Sequence, residues 1–195
     1  MPKRIAIIQG HPDPRGGHLG HALAQAYADG AQRAGNEIRI IEVAALQFSF
    51  LRTKEEWETG APPDGIQDAQ RTIGWADHLV FFYPLWLGSM PALLKAFLEH
   101  VFRPQFAIAK PAGGKVWKKL FTGKSARIVI TMGMPALVYR WYFRAHSLKS
   151  LERSILAFSG VRPIQSSLFG LIEARSDATR EKWLATMCSL GARAK

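Results

Sequence analysis

Between Ala76 and Phe102 the chain reads ADHLVFFYPLWLGSMPALLKAFLEHVF, a solid apolar run, a proline-broken aromatic loop and an amphipathic helical pattern. Leu79 to Tyr83 carries no polar alternation, so a strand built from it must be covered on both faces, as in a parallel sheet sandwiched by helices. Pro84 lacks a backbone donor and is expected to end that strand, while Pro91 is pre-set for the first turn of a helix. The loop Leu85 to Met90 between them then lies outside the carboxyl end of a strand, where open α/β sheets bind their ligands.

The rest of the chain alternates strand-like and helix-like periods, the signature of βαβ units. Strands are expected over Arg4–Gln9, Ile38–Val43, Leu79–Tyr83, Ala126–Thr131 and Arg162–Phe169. Helices are expected over Gly20–Ala34, Ile66–Trp75, Ala92–Phe102, about Ser147–Phe158 and Asp177 to about Leu190. Gly35 and Gly160 supply the stops, since glycine accepts the left-handed cap. Five such strands fit an α/β doubly wound parallel sheet of flavodoxin-like order 2-1-3-4-5, helices on both faces, with its switch point between strands one and three. Residues 1–195 are read as a single domain. Two long connections, Ala44–Asp64 and Arg103–Lys124, interrupt the scheme, and connections of that length usually carry function.

Charge and composition exclude several classes. The only cysteine is Cys188, so no internal disulfide forms, and Met1-Pro2-Lys3-Arg4 leads into a strand without a secretory pattern, which points to a cytoplasmic location. The longest apolar stretch is broken by Pro84, Gly88, Ser89 and Pro91, so no membrane span is expected. The net charge of +11 is uneven: residues 1–100 hold 9 Lys+Arg against 11 Asp+Glu, and residues 101–195 hold 17 against 4. The basic half suits an anionic partner, whether a phosphorylated cofactor, an acidic protein or a membrane surface, or is a solvated face. No nucleic-acid-binding motif is present.

Two phosphate motifs fail on inspection. Thr122-Gly123-Lys124-Ser125 imitates the end of a P-loop, but the required earlier glycine falls at Lys118 and the segment precedes a strand. The dinucleotide fingerprint is absent, because Gly10, Gly16, Gly17 and Gly20 never form G-x-G. The loop Gly10 to Gly20 nonetheless joins a strand to a helix N-terminus, whose amides and dipole receive phosphate, with His11, Arg15 and His18 as added donors. A metal site from His11, His18 and His21 lacks a carboxylate or cysteine to complete it, so no metal is expected. A third loop, Thr131 to His146, offers Gly133 for close backbone approach and Tyr139 and His146 as protonatable groups, its aromatics reading equally as packing residues or as ligands.

These residues resemble the flavodoxin-like NAD(P)H:quinone reductases, the group of DT-diaphorase, the drug-activity-modulator-type enzymes and the ancillary flavoproteins of glutathione-gated potassium efflux. The resemblance rests on Gly10-His11-Pro12-Asp13-Pro14 with His21-Ala22-Leu23, on Ala76 to Val80 through Pro84-Leu85-Trp86, on Pro91 to Lys95 through Val101-Phe102, and on Phe106-Ala107 and Thr131-x-Gly133. It implies that His11, His18, Leu19 and Gly20 lie at flavin phosphates. Pro84, Leu85, Trp86 and Leu87 would line the isoalloxazine, their amides directed at N5 and O4. Thr131, Met132, Gly133 and Met134 would face N1 and O2, with Tyr139 and His146 as catalytic donors. Where the family has Ser-Phe-Asn, this chain has His18-Leu19-Gly20 after a two-residue insertion, and Met132 and Met134 replace the usual Thr and Gly.

The resemblance implies hydride transfer from NADPH or NADH through flavin N5 to quinones or similar planar acceptors, with FAD as cofactor and FMN the alternative. The rival reading is a regulatory flavoprotein subunit of a membrane transporter. Arg140, Arg144 and the lysines of residues 110–124 are read as receivers of the NADPH 2′-phosphate. A homodimer is expected, and Phe48, Phe50, Leu51 and Trp57 offer apolar material either for its interface or for this chain's own core.

Overall fold

The computed structural model describes residues 2–109 and 117–195. Five strands, β1 (Arg4–Gln9), β2 (Glu37–Glu42), β3 (His78–Pro84), β6 (Ser125–Met132) and β7 (Ile164–Gly170), pair in parallel in the order β2-β1-β3-β6-β7. This is the doubly wound order read from the sequence. β3 is central and buried along its whole length, as its unalternating run requires.

Both sheet faces are covered, and strand residues divide between them with period 2. Ala6, Ile8, Leu79, Phe81 and Ile128 face α3 (Asp64–Trp75), α4 (Ala92–Val101) and the segment after β6, meeting Ile66, Ile73, Leu94 and Phe97. Ile5, Ile7, Val80, Phe82 and Val129 face α1 (Leu19–Arg33) and α7 (Asp177–Ala192), meeting Leu23, Tyr27 and Met187. Each such fully buried side chain contributes about 1.5–3 kcal/mol. α1 and α7 touch through their backbones: a Cβ on Gly30 would sit 1.9 Å from the Cys188 carbonyl oxygen, and one on Gly191 2.0 Å from that of Tyr27.

The structure meets some local expectations and corrects others. Pro84 ends β3 as expected, as its last residue, and pairs with Thr131, whose carbonyl accepts from Leu85 N–H at 2.8 Å. α4 begins at Ala92 as expected, with Pro91 as the cap before it and not a residue of its first turn. The helix expected from Ser147 starts as α6 (His146–Lys149) and widens into a π-helix over Ser150–Ala157. The Arg103–Lys124 connection contains a small antiparallel pair, β4 (Ile108–Ala109) with β5 (Lys118–Lys119). The Ala44–Asp64 connection holds a short helix, α2 (Lys54–Glu58), capped by the Thr53 side chain. No helix among the described residues is long and apolar enough to cross a membrane.

Candidate active site

Each of the five strands ends at the carboxyl edge of the sheet, and the loops after β1, β3 and β6 are tied together there by direct contacts. His11 and Trp86 meet edge to face at 6.0 Å, joining the first two loops. Leu85 N–H bonds the Thr131 carbonyl, joining the second and third. Thr131 Oγ1 lies 4.0 Å from where a Cβ on Gly20 would sit, closing the circuit back to α1.

The loop after β1 is stiffened by its own side chains. Gln9, buried in the strand, accepts from His11 N–H at 3.2 Å and donates to the Gly20 carbonyl at 3.3 Å, fixing the loop to the start of α1. Gly16 and Gly17 take φ of 73° and 77°, which L side chains disfavour. Asp13 accepts from the Arg15 amide and guanidinium and pairs with His18 Nε2 at 3.0 Å. The Arg15 and then the His18 hydrogen bonds hold its carboxyl far below the usual range. Arg15, expected as a phosphate donor, is thus already neutralised.

His11 and His18 stack at 3.9 Å, with His21 at 5.2 Å and 5.7 Å from them. Burial, then the neighbouring imidazoles, pushes His11 down to about 4. Burial first also lowers His21, whose Nδ1 is buried with no partner among the described residues. His11 and His21 are thereby held toward their neutral forms. Among the described residues no group of three or more His, Cys, Asp or Glu is arranged to hold a metal ion. The first turn of α1 leaves the Leu19 and Gly20 amides with no acceptor among the described residues, beside these rings.

The loop after β3 is a tight turn closed by reciprocal bonds between Trp86 and Ser89 at 2.8 and 2.9 Å. Its central residues, Leu87 (φ 47°) and Gly88 (φ 75°), are both left-handed, the type I′ pattern. For leucine this costs about 1–2 kcal/mol and turns the side chain fully into solvent. The Leu85 and Trp86 amides are consumed internally, so of the three expected to point at a ring edge only that of Leu87 is open.

Beyond β6 the expected residues separate. Gly133 is exposed, and the amides of Gly133 and Met134 have no acceptor among the described residues. Met132, expected to face the crevice, is buried in the core because its side chain continues the inward alternation of β6. Tyr139, expected as a catalytic donor, is fully buried on the inner face of α5 (Ala136–Trp141). Its hydroxyl accepts from Leu148 N–H at 3.0 Å and its carbonyl accepts from Ala145 N–H at 3.0 Å. Burial chiefly raises its pKa. Tyr139 thus braces the segment that carries His146, which is exposed at the start of α6 behind two left-handed residues, Arg144 and Ala145.

A cleft of about 740 Å³ extends from Gly17, His18, Leu19 and His21 to Ile172, Glu173 and Arg180. Arg180 donates to the Ile172 carbonyl at 3.1 Å and also reaches Asp177. Gln9 and this loop after β7 are the residues that sequence reasoning missed. Their signal was topological: the fifth strand ends at the same edge as the other four.

The lysines expected at a 2′-phosphate divide differently. Lys124 donates to the Gly74 carbonyl at 2.8 Å and to that of Ala76, at the opposite, amino edge of the sheet. Lys110 and Lys115 lie outside the described residues. Of the apolar residues in the Ala44–Asp64 connection, Phe48 packs on Phe97 and His100 of its own core. Leu51 and Trp57 instead line a groove of about 590 Å³ with Leu98, Phe102, Ile155 and Phe158.

The chain matches the Flavodoxin_2 family, described as a flavodoxin-like fold, over residues 3–189. It is 27% identical over 179 residues to an uncharacterized NAD(P)H oxidoreductase of Haemophilus influenzae, covering 90% of this chain and 87% of the relative. It is 23% identical over 155 residues to the ribosyldihydronicotinamide dehydrogenase-like protein traD of Penicillium crustosum, covering 67% of this chain and 57% of that protein, so the match spans just over half of that relative's length. Among solved structures, the NAD(P)H:quinone oxidoreductase of Methanothermobacter marburgensis superimposes with a TM-score of 0.79 at 21% identity, covering 99% of this chain and 97% of the other. Sheet order and a match along nearly all of the sequence agree: the chain belongs to the Flavodoxin_2 family of flavodoxin-like fold.

Proposed function

We propose that this oxidoreductase holds a flavin in the crevice between the loops after β1, β3 and β6 and carries hydride from NADPH or NADH to a quinone or similar planar acceptor. The observation that carries the reading is the set of donors left without a partner at one edge: Leu19 and Gly20 at the α1 N-terminus, Leu87 on the turn, and Gly133 and Met134 beyond β6. A phosphate suits the first pair and the polar edges of a flat ring suit the others. The residues present fit the group, since a planar ring has Trp86 as an apolar wall and Asp13, the carboxylate of the loop, is paired with Arg15 and hydrogen-bonded to His18.

When bound, a flavin supplies two-electron chemistry at N5 that side chains lack. His11 and His18, with the Leu19 and Gly20 amides, hold the phosphate end. Trp86 and Leu87 exclude water from the ring. Gly133 and Met134 amides stabilise negative charge at the far ring edge. His146 is the exposed proton donor, and Tyr139 positions it through Leu148 and Ala145. FAD is favoured over FMN because the cleft continues past the phosphate corner to Arg180, giving room for a second nucleotide half.

Residues 1–195 act as one domain, in the cytoplasm, as a homodimer. The groove lined by Leu51, Trp57 and Leu98 is the face offered for the second copy. The purified chain is expected to be yellow, to release FAD on denaturation, and to bleach on anaerobic addition of NADPH. A colourless protein that binds neither FAD nor FMN when either is supplied would remove the reading.

A further inference from the structure

Ten large apolar side chains are exposed among the described residues, and seven of them sit on two loops at the carboxyl edge of the sheet. Trp86 and Leu87 follow β3, and five more lie along Leu137–Phe143, where Trp141 and Tyr142 are 77% and 80% exposed. Isolated exposed hydrophobics are ordinary, but a contiguous helical run of them marks a contact surface. At 3.6 residues per turn Leu137, Val138, Trp141 and Tyr142 share one arc, while Tyr139 points the other way into the core.

The charges around this run have one sign. From His100 to Leu151 the sequence contains no Asp or Glu and ten Lys or Arg. Arg103, Lys124 and Arg127 are tied to carbonyls inside the fold. Arg140 and Arg144 are exposed and make no ion pair among the described residues, although they flank the aromatic run.

We propose that the α5 segment, with Trp141 and Tyr142 between Arg140 and Arg144, is a docking face for an anionic lipid surface that seats the mouth of the crevice on the bilayer. Tryptophan and tyrosine favour the headgroup layer, where one end of the ring is apolar and the other wet. Arginine supplies the attraction to acidic headgroups, and a chain of net charge +11 reinforces it. A second copy suits this face poorly, because a two-fold contact brings Arg140 and Arg144 against their own equivalents with no carboxylate in the segment to offset them. The delivery role rests on the reading given under the proposed function: planar apolar acceptors partition into lipid, and the face shares the sheet edge that carries the crevice.

Flotation of the purified chain with vesicles tests the docking without reference to turnover. Binding is expected to vesicles of phosphatidylcholine with phosphatidylglycerol, weak to phosphatidylcholine alone, and reduced by high salt. Arg140→Gln with Arg144→Gln should weaken partitioning about 30-fold, and Trp141→Ser should weaken it further. Lys118→Gln with Lys119→Gln, on the hairpin away from this edge, should leave it nearly unchanged. Loss as large in the lysine pair as in the arginine pair, or no recruitment by phosphatidylglycerol, would overturn the proposal. So would a light-scattering mass that falls from dimer to monomer on Trp141→Ser, which assigns the face to a second copy. Flavin content, read from absorbance in each preparation, separates failure of docking from failure of the flavin reading. If both hold, vesicles should raise turnover of a long-chain quinone and not of a short, water-soluble one.

Discussion

The two edges of the sheet treat their polar groups in opposite ways. At the amino edge charges are matched inside the fold: Arg4 makes a two-pronged contact with Asp77 and Lys124 closes the α3 C-terminus. Arg127, part-buried, donates to Ser167 at 2.8 Å, to the Lys195 carbonyl at 2.6 Å and to Gln165. At the carboxyl edge amides lack acceptors, two arginines lack carboxylates, and Trp86 and Trp141 stand in solvent. Matching groups internally stabilises a fold, whereas leaving donors open on a rigid frame makes a site, and parallel strands put all such openings at one end. Changes at one edge should therefore alter stability and changes at the other ligand binding.

The largest separation should come from Gly20→Asp. It places a carboxylate at the α1 N-terminus, opposing phosphate where two amides now point. Flavin affinity should fall about 10³-fold, from two lost charge-assisted bonds, with the thermal midpoint of the apo chain little moved. Fluorescence titration with FAD checks it, and affinity within a few-fold of the parent would show that the phosphate sits elsewhere.

Next in size is an acid-linked loss of stability at the amino edge. His78 is buried against Ser125 and Tyr27 with Nε2 unpartnered, and burial first, then Lys3 and Arg127, lowers it to about 3. A histidine depressed in the fold takes up protons on unfolding, so its contribution is complete above pH 6.5 and drains away as pH falls toward 3. The loss by pH 4 should be on the order of 3 kcal/mol. Urea melts of His78→Gln should show a shallower pH dependence; an unchanged slope would put the effect on other groups, His11 among them.

Arg127→Met should cost about 2 kcal/mol, since it removes a buried guanidinium bound to Ser167, Gln165 and the Lys195 carbonyl, and should leave flavin affinity untouched. A matching drop in flavin affinity would show that the two edges are coupled. The smallest effect belongs to Asp77→Asn. Its pair with Arg4 is two-fifths exposed and screened by salt, so the loss should stay near 0.5 kcal/mol and vanish at high ionic strength.

Much of the frame was legible in the residues. The unbroken apolarity of Leu79–Tyr83 announced a strand covered twice, and Gly35 and Gly160 marked turns that adopt φ of 80° and 105°. The site was legible by position but not by function of each group. Leu85 and Trp86 were expected to offer amides that they use within the turn and the ladder. Tyr139 was expected to face a ligand and instead lies on the buried face of α5. The cleft beside Arg180 passed unnoticed because the loop after β7 carries no motif.

The sequence by itself determined the strand and helix periods, the sheet order they imply and the edge at which a ligand must sit, because apolar spacing and glycine stops act over a few neighbouring residues. Tertiary structure alone decided which donors stay open. Whether the Leu85 amide is free depends on Thr131, and whether the Tyr139 hydroxyl is free depends on Leu148, so availability is a property of partners that pairing and packing bring together.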